Sequence, residues 1–262
     1  MSTDKILSRT ESGIGWLTFN NPDRRNAMSL EMWEETGRVL SAYEQDPDVR
    51  VVVMHGAGGK AFVSGADISQ FEDVRKNAEQ QELYAARSGE GKRRMMELTK
   101  PLIAMIDGFC IGGGLGIAVN ADIRIASENS QFGIPAAKLG LAYEFKNLRR
   151  LVDLVGPAYA KEIMFTGRRF NTEEALRMGL VNRVVPVADL EPVVRAMAAD
   201  IAGNAPLTIR SAKVTIDQAV LDLADRDMAR VEASFDACFN SRDYEIGRQA
   251  FMAKRTPEFT GT

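Results

Sequence analysis

The sequence carries one histidine, two cysteines, no excess of positive charge and no long apolar run. Each shortage excludes something. Serine and cysteine triads usually need a positioned imidazole, and zinc sites often need more than one. The lone histidine, His55, closes the apolar run VRVVVMHG and reads as a structural strand-end residue. Cys110 and Cys238 lie far apart in apolar settings. They make neither a disulfide framework nor a metal quartet and read as reduced packing residues. No apolar run approaches the roughly twenty residues of a membrane helix. The stretch MSTDKILSRT lacks a signal-peptide core, so the expected location is cytoplasmic.

Lys and Arg total 33 against 36 Asp and Glu, for a net charge of −3. Proteins that live on phosphate backbones usually show a basic excess, so nucleic acid is a poor first partner. The clusters Arg24-Arg25, Lys92-Arg93-Arg94, Arg149-Arg150 and Arg168-Arg169 read mostly as solvated faces, although a small polyanion could meet them. One local shortage bears on mechanism. No carboxylate lies between Asp107 and Asp122, and none between residues 132 and 143.

What is present fits an ordinary globular chain: 262 residues, 45% hydrophobic and 26% charged. That length suits one large domain, or one domain with a helical appendage. GIGWLTFN (13–20) reads as a strand and NPDRRNAM (21–28) as a loop. Ser29 is a plausible N-cap, and Leu30, Trp33, Gly37 and Leu40 repeat at helical spacing until QDPD stops the helix. The β-branched run 49–56 and PLIAMIDG (101–108) read as strands buried on both faces, as in a parallel sheet. Between them lie a glycine-rich connection and a polar helical region over 68–98. GGGLGIAVNA opens a helix, IRIASE (123–128) is a strand, and Asn171 or Thr172 caps a helix that Gly179 ends. LVNRVVP is a last short strand, and from about Leu190 the pattern is almost wholly helical. The expected fold class is therefore α/β, with residues 1–190 as core and 191–262 as a helical region packed on the core or on a neighbouring subunit.

Three glycines at 112–114 follow a strand and precede a helix. Such a turn lets backbone approach a ligand and aims N–H groups at negative charge. A dinucleotide loop is a weak reading, because the spacing is not G-x-G-x-x-G. An oxyanion hole needs two convergent donors, and the turn SGAD could supply the second. Tight packing of helix on sheet is the alternative without chemistry.

AFVSGADI (61–68), KPLIAMIDGFCIGGGLGIAVNADIRIASENSQFGIP (100–135), LVGPAYAKEIMFTGRRFNTEEALRMGLVNRVVP and NPDRRNAM resemble the enoyl-CoA hydratase/isomerase, or crotonase, superfamily, in order and over nearly the whole chain. The resemblance implies a spiral of ββα turns with a C-terminal helical region, a homotrimer or dimer of trimers, and an acyl-CoA thioester substrate. No separate cofactor is implied, since coenzyme A is part of the substrate. Ala66 and Gly113 match the positions whose backbone N–H groups form the family's oxyanion hole. Arg24, Arg25, Ala27 and Ser64 match positions that contact the nucleotide end of CoA. Lys254 and Phe259 resemble C-terminal residues that close over CoA, sometimes from a neighbouring subunit.

The sequence departs from the family where hydratases carry their two glutamates: Gly116 and Ala136 stand there. Neither side chain transfers a proton, which removes general acid–base help worth about 10²–10⁴-fold. A third active-site position falls on Glu144, where dienoyl-CoA isomerases and chlorobenzoyl-CoA dehalogenase carry aspartate. Tyr143 falls where methylmalonyl-CoA decarboxylase has a tyrosine. Glu144 is thus the candidate base and Tyr143 a candidate donor or substrate positioner. For each, the alternative is structural: an exposed helix-start residue and a packing aromatic. The expected activity is isomerase-like or decarboxylase-like, through an oxyanion-hole-stabilised enolate. Hydration by a single carboxylate, a non-catalytic CoA-binding protein and an RNA-binding role are the alternatives.

Overall fold

In a computed structural model of the chain, residues 3–67 and 78–262 are described. The first part of the expected helical region over 68–98 therefore lies outside the described residues.

The architecture is built from strand pairs that divide between two sheets. The large sheet has the order β1 (Ile6–Glu11), β2 (Ile14–Phe19), β3 (Val51–Gly56), β5 (Leu102–Ile106), β7 (Ile123–Ser127) and β9 (Arg183–Val185). The small sheet has the order β4 (Ala61–Val63), β6 (Phe109–Ile111) and β8 (Gln131–Gly133). Among the described strands only β1 runs antiparallel, against β2; the other pairs are parallel. β3–β4, β5–β6 and β7–β8 each place a first strand in the large sheet and a second in the small one, with helix following. This is the ββα spiral.

Among the described residues the α-helices are α1 (Leu30–Gln45), α2 (Ala78–Glu97), α3 (Gly113–Ala118), α4 (Ala136–Leu139), α5 (Phe145–Thr166), α6 (Thr172–Arg177), α7 (Leu190–Gly203), α8 (Pro206–Ala219), α9 (Met228–Phe239) and α10 (Arg242–Met252). α1 starts where the sequence suggests, with the Ser29 side chain accepting from the Met32 N–H. It crosses α2 where both helices carry glycine: a Cβ on Gly91 would sit 2.3 Å from the Trp33 carbonyl oxygen. α5 is interrupted at Gly156, whose φ of 71° precedes Pro157. Asn171, rather than Thr172, caps α6, in a reciprocal capping box with Glu174.

Strand alternation explains why β3 and β5 are apolar without a break. Val52, Met54, Leu102, Ala104 and Ile106 face the larger core, which includes α1 and α3 residues. Val51, Val53, Ile103 and Met105 face the opposite way, where α7 covers them with Leu190, Val194 and Ala198. His55 ends this strand half-buried, its Nε2 2.8 Å from the Thr18 hydroxyl on the neighbouring strand, and burial lowers its pKa. Cys110 is wholly buried, and desolvation pushes its thiol pKa up.

Candidate active site

The site is organised around two backbone segments pressed together. The loop 21–28 pairs with the turn after β4. Ser64 N–H donates to the Arg25 carbonyl at 3.1 Å, Met28 N–H to the Gly65 carbonyl at 2.8 Å, and Asp67 N–H to the Met28 carbonyl at 3.0 Å. Met28 and Ala66 form an isolated parallel bridge. Alternation along such a ladder leaves the Ala66 N–H pointing away from the loop. The Ala66 nitrogen lies beside α3: a Cβ built on Gly113 would lie 3.6 Å from it, and one on Gly65 would lie 3.8 Å from the Gly113 nitrogen. Among the described residues, neither the Ala66 nor the Gly113 N–H has a hydrogen-bond acceptor.

Local sequence explains why the chain can do this. Gly112 adopts φ 57° and ψ −119°, a conformation for glycine, and turns β6 into α3. Its own N–H is fixed to the Gly133 carbonyl at 2.7 Å. Gly114 packs so closely that a Cβ there would lie 1.9 Å from the Val63 carbonyl oxygen. α3 is thus drawn onto β4, and its first N–H groups stand beside Ala66. Gly113 begins the helix, so its N–H is one of the donors that no helical carbonyl can reach.

The residues expected to hold nucleotide fall on one edge of this arrangement. Arg24 and Arg25 are exposed, Ala27 is buried, and the Ser64 hydroxyl donates to the Arg24 carbonyl at 3.3 Å. The Arg25 guanidinium lies 5.3 Å from the Phe109 ring centroid. Arg93, Arg94, Arg149 and Arg168 are matched to carboxylates. Arg24 and Arg25 form no ion pair among the described residues, nor do Arg150 and Arg169, and the Arg169 guanidinium lies 5.0 Å from the same Phe109 ring.

Asn26 is the residue that sequence reasoning passed over. It is fully buried, with φ 58°. Its Nδ2 donates to the Ala61 and Ala57 carbonyls at 2.7 and 3.0 Å, and its Oδ1 accepts from the Asn21 N–H at 2.9 Å. It pins the loop against β4 and thereby sets the ladder that aims Ala66. The available signal was an asparagine inside a polar turn, a residue type that tolerates the left-handed region and bonds nearby backbone.

Tyr143 and Glu144 sit in the segment between α4 and α5. The Tyr143 ring packs half-buried on the main core, and burial alone pushes its pKa up to about 12. Glu144 is exposed at the N-cap of α5, where its carbonyl, and not its side chain, accepts from Asn147 and Leu148. Among the described residues no hydrogen bond joins either to Ala66 or Gly113. Gly116 and Ala136 differ in setting: none of the described residues lies within 4 Å of a Cβ built on Gly116, whereas Ala136 is 3% exposed within the core.

Phe259 is not brought to this edge within the chain. Lys254 is exposed just past α10. Phe259 packs its ring 3.4 Å from the Cβ position of Gly247, and its carbonyl accepts from Arg50 at 2.8 Å. Arg50 precedes β3 and Asn26 bonds at its far end, roughly 20 Å away at about 3.3 Å per residue. No cluster of metal-ligating side chains exists among the described residues. No helix there is long and apolar enough to cross a membrane.

A sequence model of the enoyl-CoA hydratase/isomerase family matches residues 9–262. The chain belongs to that family. This enzyme family includes the short-chain-enoyl-CoA hydratase of Clostridium acetobutylicum, 35% identical over 98% of both chains. It also includes the carnitinyl-CoA dehydratase of Proteus mirabilis, 34% identical over 91% of this chain and 92% of that one. A crystal structure of an enoyl-CoA hydratase/carnithine racemase from Magnetospirillum magneticum superposes with a TM-score of 0.93 at 36% identity, covering 100% of this chain and 97% of the other. The enoyl-CoA hydratase/isomerase fold expected from the motifs is thus the fold observed.

Proposed function

We propose that this family member polarises the thioester carbonyl of an acyl-CoA with the N–H groups of Ala66 and Gly113 and stabilises the enolate that forms. The observation that carries the reading is the close approach of those two acceptor-free N–H groups. Two such donors aimed at a developing oxyanion act where charge appears in the transition state. Loss of one typically costs about 2.7–4 kcal/mol of barrier.

With glycine and alanine at 116 and 136, the proton must move elsewhere. Glu144 is the carboxylate best supported for that role, since it ends the acid-free stretch and its side chain is not spent on capping α5. In double-bond isomerisation it takes a proton from the carbon beside the thioester, electrons flow to the oxygen, and the same carboxylate returns the proton to the terminal carbon of the allylic system. Tyr143, held protonated by burial, serves as donor or positioner. In decarboxylation the enolate forms as CO2 leaves, and Tyr143 or Glu144 supplies the proton that quenches it. Arg24, Arg25, Ala27 and Ser64 hold the nucleotide end, and Lys254 and Phe259 close over CoA bound to a neighbouring copy. The C-terminal helices then serve assembly. A second reading, hydration with Glu144 as sole base, is favoured by the hydratase and dehydratase names of the relatives.

The test is turnover of crotonyl-, 3-enoyl-, dienoyl-, methylmalonyl- and aryl-CoA thioesters, with products separated by chromatography and identified by mass. Glu144→Gln is expected to lose isomerisation or hydration by about 10²–10⁴-fold. Full activity in that variant removes Glu144 from the chemistry. No turnover of any thioester by the parent protein, with CoA still bound, favours a binding role.

A further inference from the structure

A cavity of about 220 Å³ opens at the end of the large sheet opposite the candidate active site. Arg50 lines it just before β3, and Lys100 just before β5. Glu44 reaches it from the end of α1, Arg210 from α8, and Thr260 and Gly261 from the C-terminal tail. The length of β3 sets it roughly 20 Å from the loop 21–28. The chain enters and leaves its undescribed stretches far from this cavity. Residues 1–2 lead into β1, whose Ile6 pairs with Phe19 at the far end of β2, whereas Ile14 pairs with Val51 beside Arg50. Residues 68–77 run from Asp67, which bonds Met28 in the candidate site, to Ala78, and α2 sets Ala78 about 30 Å from the Thr99 side of the cavity.

The charge around this cavity is one-sided. Arg50, Lys100 and Arg210 face it, and Glu44 is the single carboxylate among the lining residues. That carboxylate is spent: it accepts from the Thr99 N–H at 3.0 Å and from the Thr99 hydroxyl at 2.5 Å. Asp46, close by, turns its carboxylate onto the Asp48 N–H, and Asp243 holds the tail through the Thr260 and Gly261 N–H groups at 2.7 and 2.9 Å. The cations keep donors in reserve. Arg50 donates to the Ala202 and Phe259 carbonyls, and Lys100 to the Tyr43 and Asp46 carbonyls, which uses part of each group's capacity. Arg210 is exposed and has no hydrogen bond or ion pair among the described residues. Burial lowers the Lys100 pKa, the Glu44 and Asp46 charges oppose that, and the Arg210 charge adds to it, so the two cations feel each other. Like charges gathered around a void repel unless an anion enters. Guanidinium forks match the oxygens of phosphate, and ammonium serves it as a point charge. The volume falls below the roughly 300–1,000 Å³ of sites that enclose drug-sized ligands, so the occupant has few heavy atoms.

We propose that this cavity binds a small, doubly charged oxyanion of the phosphate class between Arg50, Lys100 and Arg210, and that its occupancy fastens the C-terminal tail, whose Thr260 and Gly261 form one wall, to the base of the large sheet. Arg50 is the link between the two events, because the same guanidinium that faces the cavity holds the Phe259 carbonyl at 2.8 Å.

The experiment is equilibrium dialysis of the purified full chain against radiolabelled inorganic phosphate, at constant ionic strength set with chloride, with and without saturating CoA. One saturable site per chain is expected, and CoA is expected to leave it occupied. Arg210→Gln removes a charge that bonds nothing else described, so the variant is expected to fold. Its phosphate affinity is expected to fall about tenfold or more, the loss of one charge-assisted contact. Amide hydrogen exchange gives the second readout: phosphate is expected to slow exchange at Thr260 and Gly261 in the parent and to do so only at higher concentration in the variant. No saturable phosphate binding, displacement of the phosphate by CoA, or unchanged affinity in Arg210→Gln each overturns the site. Phosphate binding that leaves exchange at Thr260 and Gly261 unchanged overturns the coupling to the tail.

Discussion

Glycines 112, 114 and 116 look alike in sequence and do different work. Gly112 supplies a backbone angle, Gly114 a close approach and Gly116 a space. The difference is measurable as stability. Gly114→Ala puts a methyl 1.9 Å from the Val63 carbonyl oxygen, against backbone that cannot swing aside. It is expected to destabilise by more than about 3 kcal/mol or to prevent folding. Gly116→Ala is expected to be neutral or to stabilise by up to about 1 kcal/mol, because helix propensity improves and none of the described residues is struck. Urea denaturation of the two variants checks this, and a large loss at 116 would show that the position is packed. The sequence carries the glycine-rich turn but not this division of labour. Backbone angle and clearance are properties of three-dimensional neighbours, and Val63 lies some fifty residues before Gly114. Tyr143 and Glu144 were visible for the opposite reason, as the first polar pair after an acid-free stretch.

At the scale of elements, legibility followed length and burial. β2, β3, β5 and β7 were readable as strands because their apolar runs are unbroken or alternate, and α1 and α6 because their caps are written locally. β4, β6 and β8 were not. Each is three residues long, too short for a period, and each exists only because its partners lie beside it in the small sheet. β1 was missed because one residue of its six is buried, so it shows no alternation. The small sheet is nevertheless what brings β4 and α3 together, so the least legible element builds the site. Its coupling to the loop 21–28 runs through Asn26. Asn26→Ala leaves the Ala57 and Ala61 carbonyls without their side-chain donor. The expected cost is about 1–3 kcal/mol, together with weaker binding of CoA as Arg24 and Arg25 lose their fixed backbone. Denaturant unfolding and CoA titration of the same variant test both halves. Loss of stability with unchanged CoA affinity would separate the loop from the nucleotide site.

On the scale of the whole molecule, the C-terminal helices carry an unusual share of uncovered apolar surface. Leu223, Phe235, Phe239, Phe251 and Met252 are 81%, 58%, 51%, 83% and 79% exposed, while the buried residues of α8, α9 and α10 are Val214, Asp243 and Ala250 alone. Phe235, Phe239 and Tyr244 form a row of rings with centroids 4.7 and 5.1 Å apart. Monomeric proteins rarely leave contiguous apolar patches of this kind open. The same region holds Lys254 and Phe259, and Phe259 lies roughly 20 Å from the edge it is proposed to close, so one assembly accounts for both features. In sedimentation equilibrium the protein is expected to run as three chains or as six. Each exposed phenylalanine that becomes buried contributes about 1.5–3 kcal/mol, and a buried unpaired carboxylate is costly. The double variant Phe251→Glu with Met252→Glu is therefore expected to dissociate toward single chains and to bind CoA more weakly, with its far-ultraviolet circular dichroism retained. A monomeric parent protein, or a variant that dissociates without losing CoA affinity, would place the closure of the site within one chain and leave the apolar face to some other partner.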